Sequence, residues 1–227
     1  MNYRKDYIPK STPNNRRSSF VMKAKTLTIH NTGNAKSSAA NERAWLTNPS
    51  NDRQASFHIV VDEKEAIECI PLTENAWHSG DGSAIASGNR TSIGIEICES
   101  GNYAKNLENA TELVAKMLKE RGWGVDRLRR HFDWSGKICP RLMYDEGKWT
   151  GWSLFKAAVN VKLEMINKQK EDEDMDKATV IVNGKKIKDG VLIKGETFVP
   201  LRAVGESIGA KIGWDNQSKT ATITTSL

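Results

Sequence analysis

SIGIEICES, Ser92 to Ser100, is the stretch on which the fold turns. Ile93, Ile95, Ile97 and Cys98 make it the most apolar run of the chain, and its length suits a strand. A short run that is apolar on both sides of the pleat predicts a central strand over 92–99, covered on both faces. Glu96 interrupts it. A carboxylate inside a buried run is costly unless it has a partner or a task. Two readings stand: Glu96 pairs with Arg129 or Arg130, or it moves protons in an enclosed site.

Outward from that strand the chain alternates strands and helices. KTLTIHNT, with Leu27 and Ile29 alternating, predicts a strand that ends at His30. SFHIVVDEKEAIECI predicts a hairpin, with strands over 56–62 and 66–70 joined by the turn DEKE. Helices are expected at 37–47, at 106–122 and at 151–169. The second of these carries Leu107, Leu113, Val114, Met117 and Leu118 on one face and stops at Gly122. Residues 72–90, rich in Gly, Ser and Asn, read as loop, and LRRHFDW as a last strand or its exit. The sum is an α/β domain over 20–166 with a mixed central sheet flanked by helices.

Residues 167–178, NKQKEDEDMDKA, read as a charged linker. After it, 179–227 predicts a small α+β domain: a hairpin turning on Asn183-Gly184, a short strand, a helix from Leu201 to Ile208, and two more strands. About 50 residues is little for an independent core, so self-association is expected there.

Composition narrows the class. A hydrophobic share of 38% with mean hydropathy −0.57 reads as soluble and globular. No run approaches the ~18 apolar residues of a membrane span. The basic N-terminus lacks the apolar core of a signal peptide, which predicts synthesis in a cytoplasm. Three cysteines, Cys69, Cys98 and Cys139, argue against a disulfide framework. The net charge of +6 is contributed entirely by residues 1–25, where Arg4, Lys5, Lys10, Arg16, Arg17, Lys23 and Lys25 face only Asp6. They predict a basic arm for a polyanionic partner, or a solvated tail. No recognition motif supports nucleic acid as that partner.

HFDWSGKICP, 131–140, brings His131 and Cys139 within one short segment, and His30 closes the strand TLTIH. Two His and one Cys form a catalytic kind of zinc set, because a fourth position stays open to water. The other reading is a packed core histidine and a buried thiol. His58 reads as a core residue.

TIHNT, SFHI, AWHSGDG, NRTSIGIEICES and HFDWSGKICP, in that order over roughly residues 20–165, resemble the type 2 N-acetylmuramoyl-L-alanine amidases. That superfamily includes phage lysozymes and peptidoglycan-recognition proteins. The resemblance implies a zinc hydrolase that cuts the amide between N-acetylmuramic acid and the first L-alanine of the stem peptide. It implies His30, His131 and Cys139 as zinc ligands, Glu96 as the catalytic glutamate of the endolysin branch, and Lys137 as the residue that stabilises the developing oxyanion. Trp77 and His78, in the Gly-rich loop, are expected to contact substrate. Some members carry Tyr just before the His of the second strand; here that residue is Phe57, which puts more weight on Glu96. Without a signal peptide, an endolysin acting on the wall after release is favoured over a secreted autolysin. A non-catalytic wall-recognition protein is the alternative, which loss of the zinc Cys would favour, and Cys139 is present. On this reading the basic arm meets anionic wall polymers.

IVNGKKI, TFVPLRAVGESIGAKIGWD and the closing TATI resemble the small stalk-type repeat found beside copper amine oxidases. Copper is not implied, because residues 178–227 hold no His and no Cys. Wall attachment is the functional expectation, and an oligomerisation module or spacer is the other. Lys170-Glu171-Asp172 can be encoded as AAG-GAG-GAT, a ribosome-binding sequence ahead of Met175. Two readings follow: the acidic run only keeps the linker solvated, or the same gene gives a second product, residues 175–227.

Overall fold

The computed structural model describes residues 1–173 and 176–225, with the backbone alone for 169–173. It divides into two units, Met1–Ile166 and Asn167–Leu227. The elements from the start of the chain are β1 (Asn2–Lys5), β2 (Thr26–Asn31), α1 (Ala39–Trp45), β3 (Ile59–Val61), β4 (Glu65–Glu68), α2 (Gly88–Thr91), β5 (Ser92–Ile97), α3 (Tyr103–Arg121), β6 (Leu128–Arg130), α4 (Phe132–Ser135) and α5 (Thr150–Glu173).

The first unit is built on a six-stranded sheet in the order β1-β4-β3-β5-β2-β6. The β3–β4 hairpin is antiparallel and the other neighbours are parallel, so the sheet is mixed. SIGIEI is the interior strand β5, between β3 and β2. Its period of two sends Ile93, Ile95 and Ile97 to one face, where Val114 and Leu118 of α3 and Phe155 and Val159 of α5 join them in one core. Each such side chain contributes about 1.5–3 kcal/mol on burial. Cys98, Val60 and Ile67 face the other way, into a second cluster with Ile8, Leu46 and Phe57. Glu96 shares that second face. α3 starts on an Asn102 cap that accepts from the Lys105 amide and stops at Gly122 in the left-handed conformation.

Three stretches depart from the sequence reading. Residues 1–25 are docked, not a free arm. β1 adds parallel to β4 at the sheet edge, and Ile8 and Arg16 are fully buried. The Arg16 guanidinium donates to the carbonyls of Arg53, Leu46 and Asn51. Arg17 grips Glu74 through two bonds, at 2.7 and 2.8 Å, and Arg4 pairs with Glu65 and Asp6. Polar bonds to backbone and carboxylates leave no hydrophobic period, so sequence patterning cannot register them. The expected linker is helical as far as Glu173, and β7 (Asp176–Ala178) follows. Lys, Glu and Gln are good helix formers, and no Gly or Pro breaks the run. Met175 lies outside the described residues. Finally, LRRHFDW divides: β6 ends at Arg130 and α4 begins at Phe132, with His131 at the junction.

The second unit continues with β8 (Ile181–Val182), β9 (Lys185–Lys186), β10 (Gly190–Ile193), β11 (Glu196–Phe198), α6 (Leu201–Ser207), β12 (Lys211–Asp215) and β13 (Thr220–Thr224). β11-β10-β7 form one sheet, and β8–β9 and β12–β13 are separate hairpins. The β8–β9 turn puts Asn183 and Gly184 at φ 51° and 75°, the positive values that favour this dipeptide in a two-residue hairpin. Among the described residues no helix is long and apolar enough to cross a membrane.

Candidate active site

The register of β2 on β5 sets His30 opposite Glu96, and β3 sets Val60 opposite Glu96 on its other side. His30 and Glu96 therefore share one sheet face, at the carboxyl ends of parallel strands. His131 reaches that place from the end of β6, the neighbour of β2 on its other edge. Cys139 arrives after α4, which Trp134 ties to β2 by donating to Thr28 Oγ1 at 2.9 Å. The Asn31 amide donates to Cys139 Sγ at 3.4 Å. Four elements thus deliver residues 30, 96, 131 and 139 to one buried place.

The hydrogen bonds around the histidines set their tautomers. His78 Nε2 lies 3.0 Å from the Ser92 carbonyl, so it carries the proton and donates. His78 Nδ1 is then an acceptor, and His30 Nε2, 3.1 Å away, donates to it. That leaves the lone pair of His30 Nδ1 facing the cluster, 3.1 Å from His131 Nδ1 and 3.7 Å from Cys139 Sγ. His131 in turn is bonded to the backbone of Ser79. His131 Nδ1 lies at hydrogen-bond distance from the His30 Nδ1 acceptor, so both Nδ1 atoms converge on one point beside Cys139 Sγ. Ligand atoms of His30, His131 and Cys139 all fall within 4.8 Å of one another.

Burial fixes the charge states. It holds His30 well below the usual imidazole range, with His78, His131 and Lys137 adding repulsion. Burial, then Lys137, lowers His131 to about 4. Both rings are neutral at pH 7, and the 3.8 Å contact of His30 Nδ1 with Glu96 Oε1 is therefore not an ion pair. Burial pushes the Cys139 thiol up to about 12, with Glu96 adding to it. Burial, with Glu42 as the next cause, raises Glu96 to about 8. Glu96 Oε2 is buried and has no hydrogen-bond partner among the described residues. The alternative partners for Glu96 are spoken for: Arg130 binds Asp133, and Arg129 donates to the carbonyls of Asp126 and Leu128. The donor set of two neutral imidazoles, one thiol and an unpartnered carboxylate nearby suits zinc with an open position.

The surrounding pocket, ≈ 290 Å³, is lined by these residues together with Glu42, Trp45, Arg53, Trp77 and Lys137. Lys137 stands exposed at its rim. Trp77 is in the wall, as the sequence expects, but His78 is a different matter. It lines the same pocket but is buried, with both ring nitrogens engaged by His30 and the Ser92 carbonyl. Asn89 holds the His78 and Ser79 amides through its Oδ1. His58 is a core residue that accepts from the Gly94 amide and lies 2.9 Å from the Glu74 carbonyl. Gly94 is explained by His78: a Cβ there would meet its ring at 2.6 Å. The glycine inside SIGIEIC was the one sequence signal for that close approach. Glu42 and Trp45, on α1, carried no such signal.

A family described as N-acetylmuramoyl-L-alanine amidase matches residues 21–142, and one described as copper amine oxidase N-terminal domain matches residues 181–226. The N-acetylmuramoyl-L-alanine amidase CwlA of Bacillus subtilis (strain 168) is 46% identical over 149 residues, 64% of this chain and 52% of its own length. XlyB, an N-acetylmuramoyl-L-alanine amidase of the same organism, is 48% identical over 147 residues, 63% of this chain and 44% of its own. The chain thus spans about half the length of these curated relatives. A solved mutant endolysin from Bacillus subtilis superposes with TM-score 0.62 at 40% identity, covering 70% of this chain and 99% of that one.

Proposed function

The chain belongs to the N-acetylmuramoyl-L-alanine amidase family, and from that premise we propose that its first unit hydrolyses the amide between N-acetylmuramic acid and L-alanine in peptidoglycan. We propose further that it is zinc-dependent and serves as a phage or prophage endolysin. One observation carries the reading: ligand atoms of His30, His131 and Cys139 converge within 4.8 Å of one another, with the unpartnered Oε2 of Glu96 in the same pocket.

His30, His131 and Cys139 would hold the zinc. When bound, it supplies a Lewis acid for the scissile carbonyl and a water acidified to about pKa 7. Glu96 takes a proton from the attacking water and returns it to the departing amide nitrogen. Its Oε2 is buried and makes no hydrogen bond among the described residues, so it is free to accept that proton and pass it on. Lys137 brings a positive charge to the pocket rim, where the carbonyl oxygen becomes anionic. Phe57, without a hydroxyl, contributes no proton. The endolysin role is supported by the similarity to a solved endolysin over 99% of that chain.

The test is chemical. Incubation with purified muropeptides should release a new N-terminal L-alanine, in a reaction that chelator stops and zinc restores. Cleavage at a sugar–sugar or peptide–peptide bond, or full activity in metal-free protein, would overturn the proposal.

A further inference from the structure

Next to the metal pocket lies a second groove of ≈ 600 Å³ with a different chemical character. The two share Trp77, Ala55 and Gly80, so Trp77 forms part of the wall between them. The metal pocket is lined by His, Glu, Lys and Arg. The groove has no ionisable residue among those that line it. It offers two aromatic rings, Phe20 and Trp77, and the amides of Asn15, Gln54 and Asn89.

Trp77 is held in place there. Its indole donates to the Asn15 carbonyl at 2.8 Å, and its backbone exchanges bonds with Ser56 at 2.9 and 3.0 Å. Phe20 is 46% exposed, with the Arg90 guanidinium 4.6 Å from its ring centre. Asn89 is consumed by the His78 and Ser79 amides and the Gly82 carbonyl. The exposed amide side chains of Asn15 and Gln54 make no hydrogen bond among the described residues.

Rings with spare primary amides and no charge suit a neutral, hydroxylated ligand that has one apolar face. A pyranose with an N-acetyl group has that character: its C–H face lies on an aromatic ring, and its hydroxyl and acetamido groups match free amides. A stem peptide bearing carboxylates would instead meet cations, and none of the residues that line the groove carries one; Arg90, against the Phe20 ring, is not among them. We propose that this groove is a glycan subsite, holding an N-acetylhexosamine of the sugar strand next to the muramic acid whose amide is cut. Phe20 and Trp77 are its platform, and Gln54 and Asn15 its polar contacts. The assignment rests on the amidase reading for its biological substrate, but its ligand chemistry does not.

The experiment therefore has two arms. In the kinetic arm, the zinc-loaded full chain and its Phe20→Ala and Gln54→Ala variants cleave two substrates: a tetrasaccharide carrying stem peptides, and a single muramic acid carrying one. An aromatic contact of this kind corresponds to about a threefold to tenfold change. The proposal expects Phe20→Ala to raise KM by about that much on the tetrasaccharide, with kcat within about twofold and a smaller KM change on the single sugar. The same loss on both substrates, or no loss on either, overturns it. In the binding arm, chitotetraose is titrated into Glu96→Gln protein and the Trp77 indole resonance is followed, assigned through Trp77→Phe. Saturable movement of that resonance, weakened in Phe20→Ala, supports the subsite. No movement at millimolar sugar overturns it. A protein that binds chitotetraose but frees no L-alanine keeps the subsite and loses the amidase reading, and the reverse result does the opposite.

Discussion

In the first unit Ile29, Ile95 and Phe155 are buried between sheet and helices, whereas in the second Ile181 is 63% exposed and Trp214 58%. Of the apolar side chains described in residues 176–225, only that of Ala210 is buried. The first unit spends its apolar residues on two clusters, one on each face of a six-stranded sheet. That double backing is what lets His30, His78, Glu96 and His131 sit desolvated in fixed positions. Buried polar groups are tolerated only where every neighbour is fixed. The second unit divides its strands among three small sheets and leaves its larger side chains partly in water. Among its described residues no group of His, Cys, Asp or Glu is gathered that could hold a metal ion.

The largest test of that contrast removes the feature that the first unit's rigidity serves. Cys139→Ser and His30→Ala should each abolish zinc retention, read by metal analysis after dialysis, and lower amidase turnover by about 10³-fold or more. Far-ultraviolet circular dichroism should stay unchanged, because both sheet clusters survive. Turnover near that of the wild type in a zinc-free Cys139→Ser protein would end the metal reading. Glu96→Gln is the next largest. It keeps shape and zinc but cannot shuttle protons, so kcat should fall about 10²- to 10⁴-fold with KM little changed. A loss below about threefold would reduce Glu96 to a packing role.

How much of this could be read from the chain depends on what holds each part. SIGIEIC was legible as a buried strand because hydrophobic runs report hydrophobic burial directly. The convergence of His30, His131 and Cys139 is legible because His30 and His131 stand at strand ends and Cys139 follows His131 in one short motif. The surroundings of His78 are not legible in the sequence, since they come from Gly94 and a carbonyl on β5, both non-local. The N-terminal residues were misjudged for a related reason. Arg16 is buried by three backbone carbonyls from the segment 46–53, and nothing in a run of arginines announces such partners. The charged run after Ile166 has no apolar period and so reads as a linker, yet its helix-forming residues carry α5 on to Glu173.

The docked N-terminus gives a prediction of intermediate size. Arg17 and Glu74 form a bidentate pair whose side chains are only 11% and 16% exposed. Arg17 is the main cause that holds the Glu74 carboxyl below its usual range. A depressed carboxylate stabilises the fold above its unfolded pKa and stops doing so as pH falls through its folded value. Arg17→Ala should therefore cost about 2 kcal/mol at pH 7. The gap from the wild type should narrow once the medium is acidic enough to protonate Glu74 in the wild-type fold. Denaturant melts at the two pH values measure it. A gap that is constant or grows in acid would show that the pair does not stabilise the fold as an ion pair. If the segment were instead a free arm, Arg17→Ala would leave the midpoint unmoved at either pH.

The smallest expected effect lies in the second unit and completes the contrast. About 50 residues seldom bury enough apolar surface to stand alone. Here Trp214 and Ile223 are exposed on the β12–β13 hairpin, and a two-stranded hairpin is itself marginal in water. A second copy of the chain offers the same faces in a self-complementary arrangement, which is how most homo-oligomers close. We therefore expect the full chain to self-associate through residues 179–227, with a concentration-dependent sedimentation coefficient and melting temperature. Trp214→Ser should raise the dissociation constant about tenfold, as loss of one interface tryptophan does. Truncation after Ile166 should give a monomer that keeps the first unit's circular dichroism, because both clusters around the sheet are internal to residues 1–166. A full chain that stays monomeric up to about 100 μM, far above the micromolar range of weak but specific pairs, would sink the idea. So would an oligomer that persists in the truncated protein, since it would place the contact on the first unit.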